Sequence, residues 1–179
     1  MTDVSFMTPQ DHVVSTEARQ RGASAFDLIE LLFFAYRDFV GDADEVLAEF
    51  GFGRAHHRVL HFINRNPGMK VAELLDILKI TKQSLGRVLK QLLDEGYAEQ
   101  KEGATDRRQR LLYVTAKGEG LASRLAGLQA ARIDRALAEI GPADRDTVKR
   151  FLVAMLDPDQ REGVVRRIDV ANHARRHRS

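Results

Sequence analysis

The chain has 179 residues, with 28 Lys and Arg against 26 Asp and Glu, a formal net charge of +2 and a pI near 9.0; this suits one domain or an elaborated small one, and leaves any nucleic-acid argument to local charge distribution. The absence of cysteine excludes disulfides, thiolate metal sites and thiol redox sensing. Residues 1–22 lack an apolar signal core, and the longest greasy run, 28–40, is interrupted by Glu30, Arg37 and Asp38 and is too short to span a bilayer, so a soluble cytoplasmic protein with no membrane partner is expected.

Residues 1–22 are polar and without sustained periodicity, which predicts a flexible arm with one turn after Thr8-Pro9. The first helix is expected near Ser24, with Phe26, Ile29, Phe33, Tyr36 and Val40 on one face and Leu28, Leu31, Leu32, Phe34 and Phe39 over much of the rest. A surface helix needs an apolar arc of only about 100°. The excess implies packing both on its own domain and against a partner chain. Its polar side carries Asp27, Glu30, Asp38, Asp42, Asp44, Glu45 and Glu49 against Arg37, the wrong sign for an anionic lipid surface.

Gly51-Phe52-Gly53 breaks the chain, and residues 54–66 read as a helix with His56, Val59, Leu60 and Ile63 inward. His57 and His61, four apart, are expected outward on one face. Such a pair can ligate a metal, but a tight site needs a third or fourth ligand, and spacing supplies none. Solvated or DNA-backbone-facing histidines are the stronger reading and metal-responsive regulation through His57 and His61 the weaker one.

A short helix over 70–78, with Val71, Leu74, Leu75 and Leu78 on one side, is followed by the turn Lys79-Ile80-Thr81. Thr81 suits the N-cap of a helix running to about Glu95, which Gly96 stops. In it Leu85, Val88, Leu89 and Leu92 form an apolar stripe, so Gln83, Arg87, Lys90 and Asp94 project opposite, flanked by Ser84 and Gly86. Alone, that face reads equally well as an ordinary solvated one. Two short helices joined by a turn of about three residues, the second rich in donors, match a helix-turn-helix. In a major groove Arg bonds guanine bidentately and Gln bonds adenine, while Lys and Thr reach base edges or phosphates. Thr81, Lys82, Gln83, Ser84, Arg87 and Lys90 are therefore the candidate contacts of this helix.

Residues 97–101 and 110–114 are short runs with partial alternation around a polar loop, a hairpin with a wing. Its tip gathers Arg107, Arg108 and Arg110 around Asp106, a cationic finger suited to a minor groove or to phosphates. Thr115 then caps a long helix to about Ile140, with Leu121, Leu125, Leu128, Ile133, Leu137 and Ile140 apolar. Gly141-Pro142 stops and restarts the chain. A helix over 143–156 presents Val148, Phe151, Leu152 and Met155, and Asp157-Pro158 ends it. Left in water, these stripes expose apolar area worth about 25 cal/mol per Å², which favours burial against a second copy. Residues 159–179 hold six arginines and read as a basic, disordered tail, with added phosphate contacts the lesser alternative.

This succession of helices and turns, with the Pro67-Gly68 turn, the Thr81-initiated helix, Asp94-Glu95-Gly96-Tyr97, Asp106-Arg107-Arg108 and then Val114-Thr115-Ala116-Lys117-Gly118, resembles the MarR (multiple antibiotic resistance regulator) family of winged-helix transcription factors. The resemblance covers roughly 26–156, with its specific motifs in 55–118. It implies a mainly α fold with a small β wing, a winged helix-turn-helix flanked by N- and C-terminal dimerisation helices. The domain would span 23–158, with the DNA-binding core at 54–116 and dimerisation helices at 23–50 and 117–157. It also implies that Arg108 enters the minor groove steadied by Asp106, with Arg107 and Arg110 on phosphates. Relatives that sense peroxides through a reactive cysteine offer no precedent for this cysteine-free chain.

The function expected is a homodimeric regulator of a palindromic operator on double-stranded DNA. It would be a repressor relieved by a small-molecule effector wedged between the N-terminal helix, the helix from Arg54 and the base of the long helix. The alternative is a winged-helix module used only for protein contacts. No cofactor is expected, and the lack of a phosphate loop, nucleophile elbow or metal quartet argues against an enzyme.

Overall fold

A computed structural model describes residues 9–103 and 109–176 of the chain. In chain order these form α1 (Pro9–Ala48), α2 (Arg54–Arg65), β1 (Met69–Lys70), α3 (Val71–Leu78), α4 (Lys82–Asp94), β2 (Ala98–Glu102), β3 (Arg110–Val114), α5 (Ala116–Ile140), a 3-10 turn (Pro142–Asp144), α6 (Arg145–Ala154) and α7 (Pro158–Arg176). The fold is mainly helical with one small antiparallel sheet of order β1-β3-β2, the expected class.

Two expectations fail at the ends. Residues 9–22 are the first turns of α1 and not an arm. Pro9 costs nothing at a helix start, and Gly22 costs only about 1 kcal/mol inside one. Extending an existing helix through Gly22 is easier than nucleating a new one at Ser24. The basic stretch from Pro158 to Arg176 is likewise a helix, α7, and not a disordered tail. Arg161 donates to the carbonyls of Ala154 (2.9 Å) and Leu156 (3.2 Å), satisfying oxygens that the end of α6 leaves open. Farther along, Arg65 donates to Asn172 at 2.6 Å and Ala171 is buried.

The chain divides into two compact units at Gly41. In the first, the large apolar side chains from Phe26 to Tyr36 stand in water. Phe33 and Phe34 meet edge to face at 5.6 Å, and the Arg37 guanidinium lies 4.9 Å from the Phe34 ring centre.

The second unit holds the core. Leu47, Val59, Leu60, Ile63, Leu74, Leu85, Leu92, Leu112 and Leu125 are its largest fully buried side chains. Each contributes about 1.5–3 kcal/mol of transfer free energy. Helix α2 packs against α4, α5 and β3 and is the hub of this cluster. Arg54 with Asp44 (2.7 Å), Arg132 with Asp42 (2.9 Å) and Arg124 with Glu49 (3.2 Å) tie the chain between 42 and 49 to α2 and α5.

One close approach joins the sheet to α5. A Cβ on Gly118 would lie 1.9 Å from the Tyr97 carbonyl oxygen, so no other residue fits there without displacing backbone. Thr115 caps α5 by accepting from the Gly118 amide (3.1 Å), and its hydroxyl donates to the Gly96 carbonyl at 2.7 Å.

Candidate nucleic-acid interface

The candidate surface is built on α3, its turn and α4. Lys79 ends α3 in the left-handed region, φ 50°, a conformation costing an L-residue about 1–2 kcal/mol. Its amide bonds Leu75 O (3.0 Å) and its ammonium bonds Asp76 (2.8 Å), which secures the bend. Hydrogen bonding to and the charge of Lys79 hold the Asp76 carboxyl below its usual range, with Arg167 adding to the effect.

Thr81 then caps α4, accepting from the Ser84 amide at 3.1 Å while its hydroxyl donates to Ser84 Oγ at 2.9 Å. Its one proton is thus committed within the helix start, so Thr81 positions α4 and has no donor left for a phosphate. At the other end Gly96 takes φ +74°, with Gly96 N bonded to Leu93 O (3.1 Å) and Tyr97 N to Leu92 O (2.8 Å). This is the left-handed helix stop that glycine favours.

Leu85, Leu89 and Leu92 face the core, and Lys82, Gln83, Arg87 and Lys90 are exposed. Among the described residues, Lys82, Gln83 and Arg87 have no side-chain partner, whereas Lys90 pairs with Asp94. That exposed pair is worth well under about 1 kcal/mol and yields readily to a stronger anion.

In the wing, β2 and β3 pair in the register Glu102↔Arg110 to Ala98↔Val114. Arg110 sits 3.0 Å from Glu102 across the ladder, both exposed, so it is engaged at rest but weakly. Gly103 N donates to Gln109 O at 3.0 Å and closes the loop base. Asp106, Arg107 and Arg108 lie outside the described residues.

The histidines of α2 depart from expectation. His57 is buried and His61 half-buried, not solvated on an outward face. Because α2 is packed on several sides, a single inward stripe underestimates how much of it is covered. Burial lowers the pKa of His57, opposed by Asp44 and aided by Arg58; burial also lowers that of His61, aided by His57 and Arg65. Their rings meet edge to face at 6.5 Å. Among the described residues no three His, Cys, Asp or Glu side chains gather as a metal site.

His56, expected simply inward, is half-buried and polar in its contacts. It stacks on Phe52 at 4.7 Å, accepts from the Gly53 amide at 3.1 Å and meets Gln91 of α4 at 2.9 Å. Lys117 of α5 reaches the same end of α4, donating to Glu95 O at 3.0 Å over the Tyr97 ring. Neither contact is visible from spacing, since each links residues of different helices.

Comparison with known proteins agrees with this geometry. Residues 50–109 match the model of the MarR family. The chain is 45% identical over 133 residues to the HTH-type transcriptional regulator PetP of Rhodobacter capsulatus, covering 74% of this chain and 80% of PetP. Among solved structures, the transcriptional repressor CouR bound to a 23-mer DNA duplex superposes with a TM-score of 0.56 at 26% identity, over 70% of this chain and 89% of CouR. A MarR family protein of Mycobacterium tuberculosis in complex with salicylic acid gives a TM-score of 0.52 at 25% identity, over 70% of this chain and 93% of that one.

Proposed function

The chain belongs to the MarR family of transcriptional regulators, and from that premise we propose that it is a homodimeric repressor that reads a palindromic operator and is released by a small molecule. The observation that carries DNA reading is α4: a capped helix, held by a buried stripe, whose opposite face offers Lys82, Gln83 and Arg87 with their donors unspent. Arg87 and Gln83 would read base edges. Lys82, Ser84, Lys90 and Arg110 would add base or phosphate contacts, with Thr81 setting the helix start. Arg108 would enter the minor groove beside Asp106, with Arg107 on phosphate. CouR, a relative solved on a duplex, supports this reading.

A second copy is the partner that best explains the exposed apolar side chains of α1, and those of Ile133, Ile140, Phe151, Leu152 and Met155 in α5 and α6. A two-fold dimer presents two α4 helices to half-sites about one helical turn apart. An effector seated against α2 and the base of α5 would change that spacing, to the extent that it binds one arrangement better than the other. The salicylate complex of the mycobacterial relative supports a small aromatic acid as its class. No described helix is long and apolar enough to cross a membrane, and a regulator of DNA would work in the cytoplasm.

Selection of genomic fragments with purified protein, followed by footprinting, tests the reading. Two symmetric protected blocks about one turn apart are expected. A pool that enriches no sequence contradicts it.

A further inference from the structure

We propose that His56 and Gln91 are positioning residues that lock the register of α4 against α2, and thereby set the sequence discrimination of Arg87. The inference rests on the reading of α4 as the helix that enters DNA.

Helices α2 and α4 share an apolar core that includes Leu60, Ile63, Leu85, Leu89 and Leu92. Apolar contact is strong but without direction, so by itself it tolerates small slides and rotations. A directional bond does not. The Gly53 amide donates to His56 Nδ1 at 3.1 Å, so Nδ1 is the bare nitrogen and the proton sits on Nε2. Nε2 then donates to Gln91 Oε1 at 2.9 Å, which leaves the Gln91 amide group to donate to Glu95 Oε1 at 2.9 Å. The chain of donors runs one way, from the start of α2 to the end of α4.

Both anchors are themselves held. The His56 ring lies parallel to Phe52, 11° between planes, and Phe52 abuts Tyr97 at 5.0 Å. Arg87 sits four residues before Gln91, so the two are neighbours on the helix surface. A turn of α4 that broke the Gln91 bond would swing the Arg87 fork off a bidentate partner, which tolerates only small errors in distance and angle.

The test uses full-length protein carrying His56→Phe, Gln91→Leu or both, with the duplex selected as operator and a scrambled duplex. His56→Phe keeps a ring to stack on Phe52 and loses the Gly53 and Gln91 bonds, whereas Gln91→Leu loses the His56 and Glu95 bonds, so the His56–Gln91 bond is the shared loss. Each single variant should lower the ratio of operator to scrambled affinity about three- to ten-fold, the size of one net hydrogen bond. Scrambled-duplex affinity should stay close to wild type, and the thermal midpoint should fall by only a few degrees. The double variant should lose less than the sum of the two single losses, because the His56–Gln91 bond is common to both. If one variant does not fold, the other reads the same bond. An unchanged ratio, an equal loss on both duplexes, or additive losses would overturn the lock. Wild-type protein with no preference between the duplexes would instead overturn the reading of α4 on which it rests.

Discussion

Val59, Leu60, Ile63, Leu85, Leu92 and Leu125 are all but removed from water, whereas Phe26, Leu28, Ile29, Leu31 and Phe33 on α1 each stand at least 60% exposed. Both groups are large apolar side chains on helices. The first closes a core within one chain, so the part proposed to read DNA has its apolar side chains covered without a partner. The second is an unfinished surface, where each side chain covered would return roughly 1 kcal/mol or more. Under the proposed function the chain is a reading head with an unfinished holder, which a second copy would complete.

The largest effect should come from Gly118→Ala, which strikes the head. Its Cβ would lie 1.9 Å from a backbone oxygen, so α5 must leave the base of the wing. Loss of about 3 kcal/mol or more in urea unfolding is expected, with DNA binding lost alongside. A variant as stable as wild type would show that the head is not closed there.

Phe33→Asp strikes the holder instead. The chain should keep its helical circular dichroism yet bind a palindrome at least about a hundredfold more weakly, since linked half-sites lose their mutual advantage. Unaltered binding would mean that α1 holds no second copy.

Arg87→Ala sharpens the comparison within the head, weakening discrimination among sequences by about 1–3 kcal/mol, while Arg108→Ala should weaken operator and random duplex more evenly. Titration on both duplexes separates them. Equal losses for both variants would contradict the assigned roles.

The smallest effect is a pH slope that belongs to the head alone. His57 and His61 are held below the ordinary imidazole value of 6.5, chiefly by burial. With a depressed folded value, the unfolded chain binds protons more readily. Stability is therefore full above 6.5 and declines as pH falls from there toward the lowered folded values. Urea unfolding across that window should show this decline, and a His57→Gln, His61→Gln variant should flatten it.

The parts legible in the sequence are those with local determinants. Thr81 and Gly96 mark α4 because caps act within a turn, and the wing strands follow, to within a residue, from two short runs set around a polar loop. Legibility ends where a distant residue decides. Helix α7 engages Arg65 through Asn172, more than a hundred positions away, and Arg161 of α7 completes the end of α6. His57 is covered because α2 is a hub with several neighbours, whereas periodicity assumes one. The helix start at Pro9 was hidden by Gly22, whose cost propagation absorbs.

Sedimentation equilibrium at micromolar concentration tests the pairing of heads most directly. A mass of roughly twice the 20.2 kDa chain is expected, falling to the single-chain value in Phe33→Asp. Wild-type protein that sediments at 20.2 kDa under these conditions would contradict it.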